Sequence, residues 1–105
     1  MIVVVGRVRT DEERRDDLIR IGTAVAAASR AEEGCIAYSL YEDAETHNDF
    51  VFVEEWADDA ALQAHFKTAH IAEFMRAIPE AIQWPPDVKF HEVAGSRELS
   101  DVAAG

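Results

Sequence analysis

The sequence predicts an α+β fold of the ferredoxin-like, split βαβ kind, with a four-stranded antiparallel sheet carrying helices on one face. Three observations carry this reading. Ile2–Val8 and Phe50–Trp56 are dense runs of β-branched and aromatic residues, and Ile36–Glu42 alternates between them. Between the first two strands, Leu18, Ile21, Val25 and Ala28 recur at helical spacing. After the third strand, two capping residues open a helical region that Pro85-Pro86 closes before a last apolar run.

Taken in order, Ile2–Val8 is nearly continuous in valine and isoleucine, which suits a strand buried on both faces. Thr10-Asp11-Glu12-Glu13 has the spelling of a capping box, with Thr10 as N-cap and Glu13 reaching back. The helix it starts should end near Glu33-Gly34, where glycine supplies a left-handed cap. In the second strand Ile36, Tyr38 and Leu40 share one side, and Cys35, Ala37, Ser39 and Tyr41 the other. Asp43–Asp49 is a polar turn of hairpin length. Period two then sorts the third strand into Phe50, Phe52, Glu54 and Trp56 against Val51, Val53 and Glu55. Asp58 and Thr68 cap two short helices over about 58–67 and 69–81, the first anchored by Leu62 and Phe66, the second by Ile71, Phe74, Met75 and Ile78. Val88–Val93 is the fourth strand. Residues 1–95 form one domain, and 96–105 have no core-forming pattern and read as a tail.

Both faces of the first and third strands are apolar, yet helices can cover only one. Val3, Val5, Val51 and Val53 must therefore lose water against something else. A second copy of the same sheet is the simplest cover, so a homodimer packed sheet to sheet is expected.

Composition narrows the function. Of 105 residues 49% are apolar and 30% charged, ordinary for a globular domain, and the net charge is −11. No basic cluster exists beyond Arg14-Arg15, which argues against a nucleic-acid partner. No apolar run approaches the roughly 18 residues of a membrane span. The amino terminus reads as a strand rather than a secretory signal, and a lone cysteine cannot make an internal disulfide, so a cytoplasmic setting is expected.

The candidate chemistry lies in Phe50–Phe74. A carboxylate (Glu54), an indole (Trp56) and an imidazole (His65) fall close together on apolar surfaces, an arrangement costly to bury without a use. If the Glu54 face looks toward the helices, His65 can come down over it. A carboxylate on one imidazole nitrogen fixes the tautomer and makes the other nitrogen a better base. His65 and Glu54 are thus the candidate catalytic pair, and Trp56, Tyr38, Phe52, Phe66, His70 and Phe74 candidate pocket residues. Structural alternatives stand beside these. His65 could simply tuck its ring onto the core; Glu54 could pair with Arg7 or Arg9; Trp56 could be core alone; His70, in a first helical turn, suits packing or capping equally. Cys35 has no basic neighbour in sequence and reads as structural. His47 and His91 lack metal-ligand spacing with the other histidines, so no metal is expected.

Glu32-Glu33-Gly34-Cys35 with Tyr38, then Glu54-x-Trp56, Ala64-His65 and Thr68-x-His70, resembles the antibiotic-biosynthesis-monooxygenase superfamily over residues 2–93. It is most similar to the small quinol-monooxygenase-like members. The resemblance implies a dimeric α+β barrel, an apolar pocket between helices and sheet, and oxygenation of an electron-rich aromatic by O₂ without metal, flavin or haem. The superfamily also holds isomerases of small phosphorylated ketoses and haem-degrading enzymes. Its polyketide-oxidising members carry a pocket Asn and Tyr where this chain has Phe52 and Leu62, which argues against the same large substrate. Haem degraders carry a Trp at the position of His65, a ligand His at Met75 and an Asn near Gly6; all three are missing. The expected function is cofactor-independent oxygenation of a quinol. The alternatives are isomerisation of a small keto compound and non-enzymatic binding of a hydrophobic molecule as a stress-response domain.

Overall fold

The computed structural model describes residues 1–103. Strand β1 (Ile2–Arg9) is followed by α1 (Arg15–Arg30), β2 (Cys35–Glu42), β3 (Asp49–Trp56), α2 (Asp59–His65), α3 (Ala69–Ala77), a 3-10 turn (Ile78–Glu80), β4 (Gln83–Glu92) and a short α4 (Leu99–Val102). The strands form one antiparallel sheet in the order β2-β3-β1-β4, the split βαβ arrangement expected. Among the described residues no helix is long and apolar enough to cross a membrane.

The helices cover the face carrying Ile2, Val4, Val8, Phe50, Phe52, Glu54 and Trp56, all buried. Period two thus sorted β3 correctly. Val5 and Val53, partners across the β1–β3 ladder, lie with Val3 and Val51 on the uncovered face and are only half-buried. The α1 stripe of Leu18, Gly22, Val25, Ala26 and Ser29 is buried, while Ile21 and Ala28 flank it half-buried.

Four local expectations are corrected. Thr10 does not cap α1: its hydroxyl donates to the Ala81 carbonyl at 2.7 Å, and the helix begins at Arg15, two residues past the predicted box. This buried hydroxyl ties the end of β1 to the turn before β4. Asp11 instead closes the entry turn, accepting from the Arg14 backbone N–H at 3.0 Å, and the Arg14 guanidinium reaches the Ile82 carbonyl at 2.9 Å. In β2, the ladder slips between Cys35 and Ala37, so Ile36 is an extra, bulged residue that turns outward and is exposed. Strand β4 starts five residues earlier than predicted and includes Pro85-Pro86, which an edge strand tolerates because one side of its backbone has no ladder to complete. Phe66 and Met75, expected as helix anchors, are exposed. The tail contains the α4 turn with Leu99 exposed, and its last two residues, 104–105, lie outside the described residues.

The N-caps of α2 and α3 follow the predicted chemistry, whereas α1 ends at Arg30 with Ala31 as its C-cap, short of the predicted Gly34. Asp58 accepts from the Ala61 N–H at 2.8 Å and Thr68 from the Ile71 N–H at 3.3 Å. Gly34 has φ +86°, and a Cβ there would meet the Ala61 Cβ at 2.6 Å. The α1–β2 connection therefore lies directly against α2, which brings residue 32 beside residue 65. Gly34→Ala should cost about 1–3 kcal/mol through left-handed strain and the collision with α2; a denaturant midpoint equal to the parent's would contradict this.

Candidate functional site

Three elements build the site. Strand β3 presents Phe52, Glu54 and Trp56 inward, β2 places Tyr38 beside them, and α2 lowers its last residue, His65, onto the row. The ring centroids of His65 and Trp56 are 4.5 Å apart and those of His65 and Tyr38 5.8 Å. Tyr38 and Trp56 meet edge to face at 6.4 Å. His65 is 1% exposed and Trp56 fully buried, so aromatic packing fixes the imidazole plane before any hydrogen bond is counted.

The acid that holds His65 is Glu32, not Glu54. Glu32 Oε2 lies 2.6 Å from His65 Nδ1 and 2.7 Å from His70 Nε2, a single oxygen bridging two imidazoles. With the carboxylate ionised and the His65 ring neutral, Nδ1 donates to Glu32 and Nε2 is that ring's acceptor. The expected Glu54–His65 pairing fails because Glu54 is already claimed: the Trp56 indole N–H donates to its Oε1 at 3.0 Å, and the Tyr38 hydroxyl engages the same carboxyl. Neither arginine offered as its partner reaches it. Arg9 pairs with Asp49 at 3.1 Å, and Arg7 lies on the opposite face of its strand.

The two acids sit in different surroundings. Burial pushes the Glu54 carboxyl up to about 7, against the opposing pull of the Trp56 and Tyr38 donors. Burial, and then the charge of Glu54, also drives the Tyr38 phenol above its ordinary value. Burial first, then Glu32 and Glu54, raises the Cys35 thiol, which fits a structural role.

A cavity of about 290 Å³ opens beside this row. Tyr38, Phe52, Glu54 and His65 lie along it, Val4, Ile71 and Phe74 close its interior, and Phe66, Met75, Trp84 and Phe90 rim it. Phe52 and Phe74 meet edge to face at 5.4 Å. No arginine or lysine lines it among the described residues. Tyr38, Phe52, Glu54, His65, Phe66 and Phe74 are thus brought to one hollow, as expected. Trp56 packs behind His65 rather than lining it, and His70 lies across Glu32 in a separate groove between α1 and α3. His47 bonds Glu12 near the β2–β3 turn and His91 is exposed on β4.

Sequence reasoning assigned no role to Glu32, although it stands in the quoted Glu-Glu-Gly-Cys run. One signal was present: an acid just beyond a helix C-terminus opposes the helix dipole and calls for a compensating donor. Glu32, His65 and His70 are also the residues that could hold a metal, since their donor atoms lie within 4.8 Å of one another.

A split βαβ domain with an imidazole over an apolar hollow defines the class, and comparison with known proteins defines the family. The chain belongs to the antibiotic biosynthesis monooxygenase family, whose family model matches residues 1–77. It is 35% identical over 88 residues to the Bacillus subtilis protein named Putative monooxygenase YcnE, covering 84% of this chain and 93% of that one. An uncharacterised Synechocystis protein is 35% identical over 98 residues, 93% of this chain and 67% of its own. Among solved structures, a Bacteroides thetaiotaomicron protein described as a possible oxidoreductase superposes with a TM-score of 0.82 at 33% identity, covering 88% of this chain and 96% of that one.

The raised Glu54 pKa has a stability consequence. Between 4.5, its ordinary value, and about 7, the folded chain retains a proton that the unfolded chain has lost, so this group's contribution falls as pH rises through that window. Glu54→Gln removes the dependence. Its stability relative to the parent should grow by about 2–3 kcal/mol from roughly pH 4 to roughly pH 8, read from paired denaturation curves; a constant difference would contradict the burial argument.

Proposed function

We propose that this protein is a cofactor-independent monooxygenase that hydroxylates a small quinol with O₂, using His65 as general base. The observation that carries the reading is an imidazole set in an apolar cavity with one nitrogen tied to a carboxylate and the other left to accept. Family membership and the monooxygenase name of the Bacillus subtilis relative support the reaction class.

The chemistry is self-contained. His65 Nε2 takes the proton of a quinol hydroxyl, and Glu32 at Nδ1 stabilises the imidazolium that forms. The electron-rich anion reduces O₂, and a new bond joins one oxygen atom to a ring carbon. The O–O bond then breaks and the other oxygen leaves as water. The quinol supplies all four electrons, so the products are a hydroxyquinone and one water and no external reductant is consumed. In this reading Glu54, whose carboxyl burial raises to about 7, returns a proton to the departing oxygen. A volume of about 290 Å³ is at the small end of ligand pockets and fits one or two aromatic rings.

A second reading, proton-shuttling isomerisation of a small keto compound, draws on Glu54 and His65 sharing the cavity. It fits an uncharged substrate, because Lys67 and Arg76 do not line the hollow and nothing there would hold a phosphate. Sequestration of a hydrophobic molecule without turnover would need the cavity but not the base. A cytosolic setting suits all three, with Cys35 unpaired.

Menadiol under ¹⁸O₂ decides among them. We expect hydroxynaphthoquinone carrying one labelled oxygen, no product without oxygen, and at least about a hundredfold loss of rate in His65→Ala with the fold retained. Undiminished turnover in that variant would refute the assignment of the base.

We further infer that two copies pack through the uncovered sheet face, which supports the site by bracing β3 from behind. Replacing Val5, opposite Val53, with lysine places a charge on that face. The expected result is a parent that sediments as a dimer and a Val5→Lys variant that sediments as a monomer; a monomeric parent would end the idea.

A further inference from the structure

Glu32, His65 and His70 arrive at one point from separate pieces of chain: the α1–β2 connection, the end of α2 and the first turn of α3. The contacts of 2.6 and 2.7 Å describe a carboxylate bridging two imidazole N–H groups. The same three atoms form a donor set of two imidazoles and one carboxylate. That set, with positions left for water, is characteristic of three-ligand centres for Zn²⁺ and related divalent first-row ions. We propose that Glu32, His65 and His70 form a reversible divalent transition-metal site whose occupancy turns His65 off as a base.

Geometry and access both favour this. An ion with ligand bonds of about 2.0–2.2 Å holds its ligands roughly 3 Å or more apart, so each contact to Glu32 must open by about half an ångström. His65 is wedged between Tyr38 and Trp56 and cannot yield. Glu32 sits in a connection and His70, with 27% of its side chain exposed, in a first helical turn, so these two can. An entry path exists on the side away from the cavity: a groove of about 310 Å³ between α1 and α3 reaches His70, with Glu73 on its wall. The net charge of −11 raises the local concentration of cations.

The consequence for His65 follows from its two nitrogens. In the hydrogen-bonded state Nδ1 carries the proton and Nε2 accepts. A neutral imidazole bound to a metal through Nδ1 carries its single proton on Nε2 instead. Nε2, the nitrogen not tied to Glu32, changes from acceptor to donor, with no change in oxidation state. This consequence rests on the proposed function; binding of the ion does not.

The test uses the full chain stripped with a chelator. Titration with Co²⁺ should saturate at one ion per chain with a visible absorption band, and Zn²⁺ should displace it. Glu32→Gln and His70→Asn, near-isosteric and checked for fold by circular dichroism, should each weaken binding at least about tenfold, while His91→Asn should not. Binding equally tight in His70→Asn overturns the site. In a second arm, one equivalent of Zn²⁺ should abolish menadiol turnover by the parent and EDTA should restore it. Turnover that persists with Zn²⁺ bound at this site overturns the switch. If no preparation turns over menadiol, the proposed function fails, and the Co²⁺ titration still decides the site.

Discussion

The bond on which the active face depends is the one between Glu32 and His65. It closes α2 onto the α1–β2 connection, and without it a buried imidazole would have no partner for its N–H, a cost of about 1–3 kcal/mol. Its placement follows from a backbone constraint. Gly34 adopts a left-handed conformation and leaves no room for a side chain against Ala61, so the connection and the helix touch. Glu32 is then two residues from the contact and His65 one helical turn from Ala61, within reach of each other. A structural glycine thereby positions a chemical pair.

Two carboxylates flank one aromatic layer and are handled differently. Glu32 is served by two imidazoles and remains partly accessible. Glu54 has no cation, only the Trp56 indole and the Tyr38 hydroxyl, and burial raises it to about 7. Glu54 also fixes Trp56, whose ring lies tilted against His65, so the second acid reaches the imidazole through packing rather than through a hydrogen bond.

Much of the fold was legible because its signals are local. The alternation Phe50, Phe52, Glu54, Trp56 announced the inward face of β3, and Asp58 and Thr68 announced the helices that hold the two histidines. The bulge at Ile36 was not legible, since alternation in β2 continues through it and only the partner strand reveals the slip. Thr10 was misread because a hydroxyl in a capping-box spelling can serve any nearby acceptor, and Ala81 is distant in sequence. The candidate residues were found, but their wiring was not. His65 and Glu54 do share the hollow, yet the His65–Glu32 contact spans 33 residues and is created by the Gly34–Ala61 approach, which no periodicity encodes.

An apolar hollow sets a demand on any chemistry that passes through an anion. Its lining stabilises neither the oxyanion of a quinol nor the imidazolium that accepts its proton, so deprotonation is uphill unless an opposite charge sits beside the base. In the proposed reaction Glu32 supplies that charge from outside the hollow, whose own carboxyl, Glu54, is held up at about 7 by burial. A quinol anion formed in the proposed reaction is then poorly solvated, which favours its reduction of O₂, and Phe52, Phe74 and Ile71 keep the lining apolar. Phe52 serves the same end by shape. It meets Phe74 edge to face at the inner wall and adds no polar group there, so that wall offers a ligand shape rather than hydrogen bonds. The proposed base with its counter-charge on one side and the Phe52–Phe74 wall on the other are therefore two halves of one requirement.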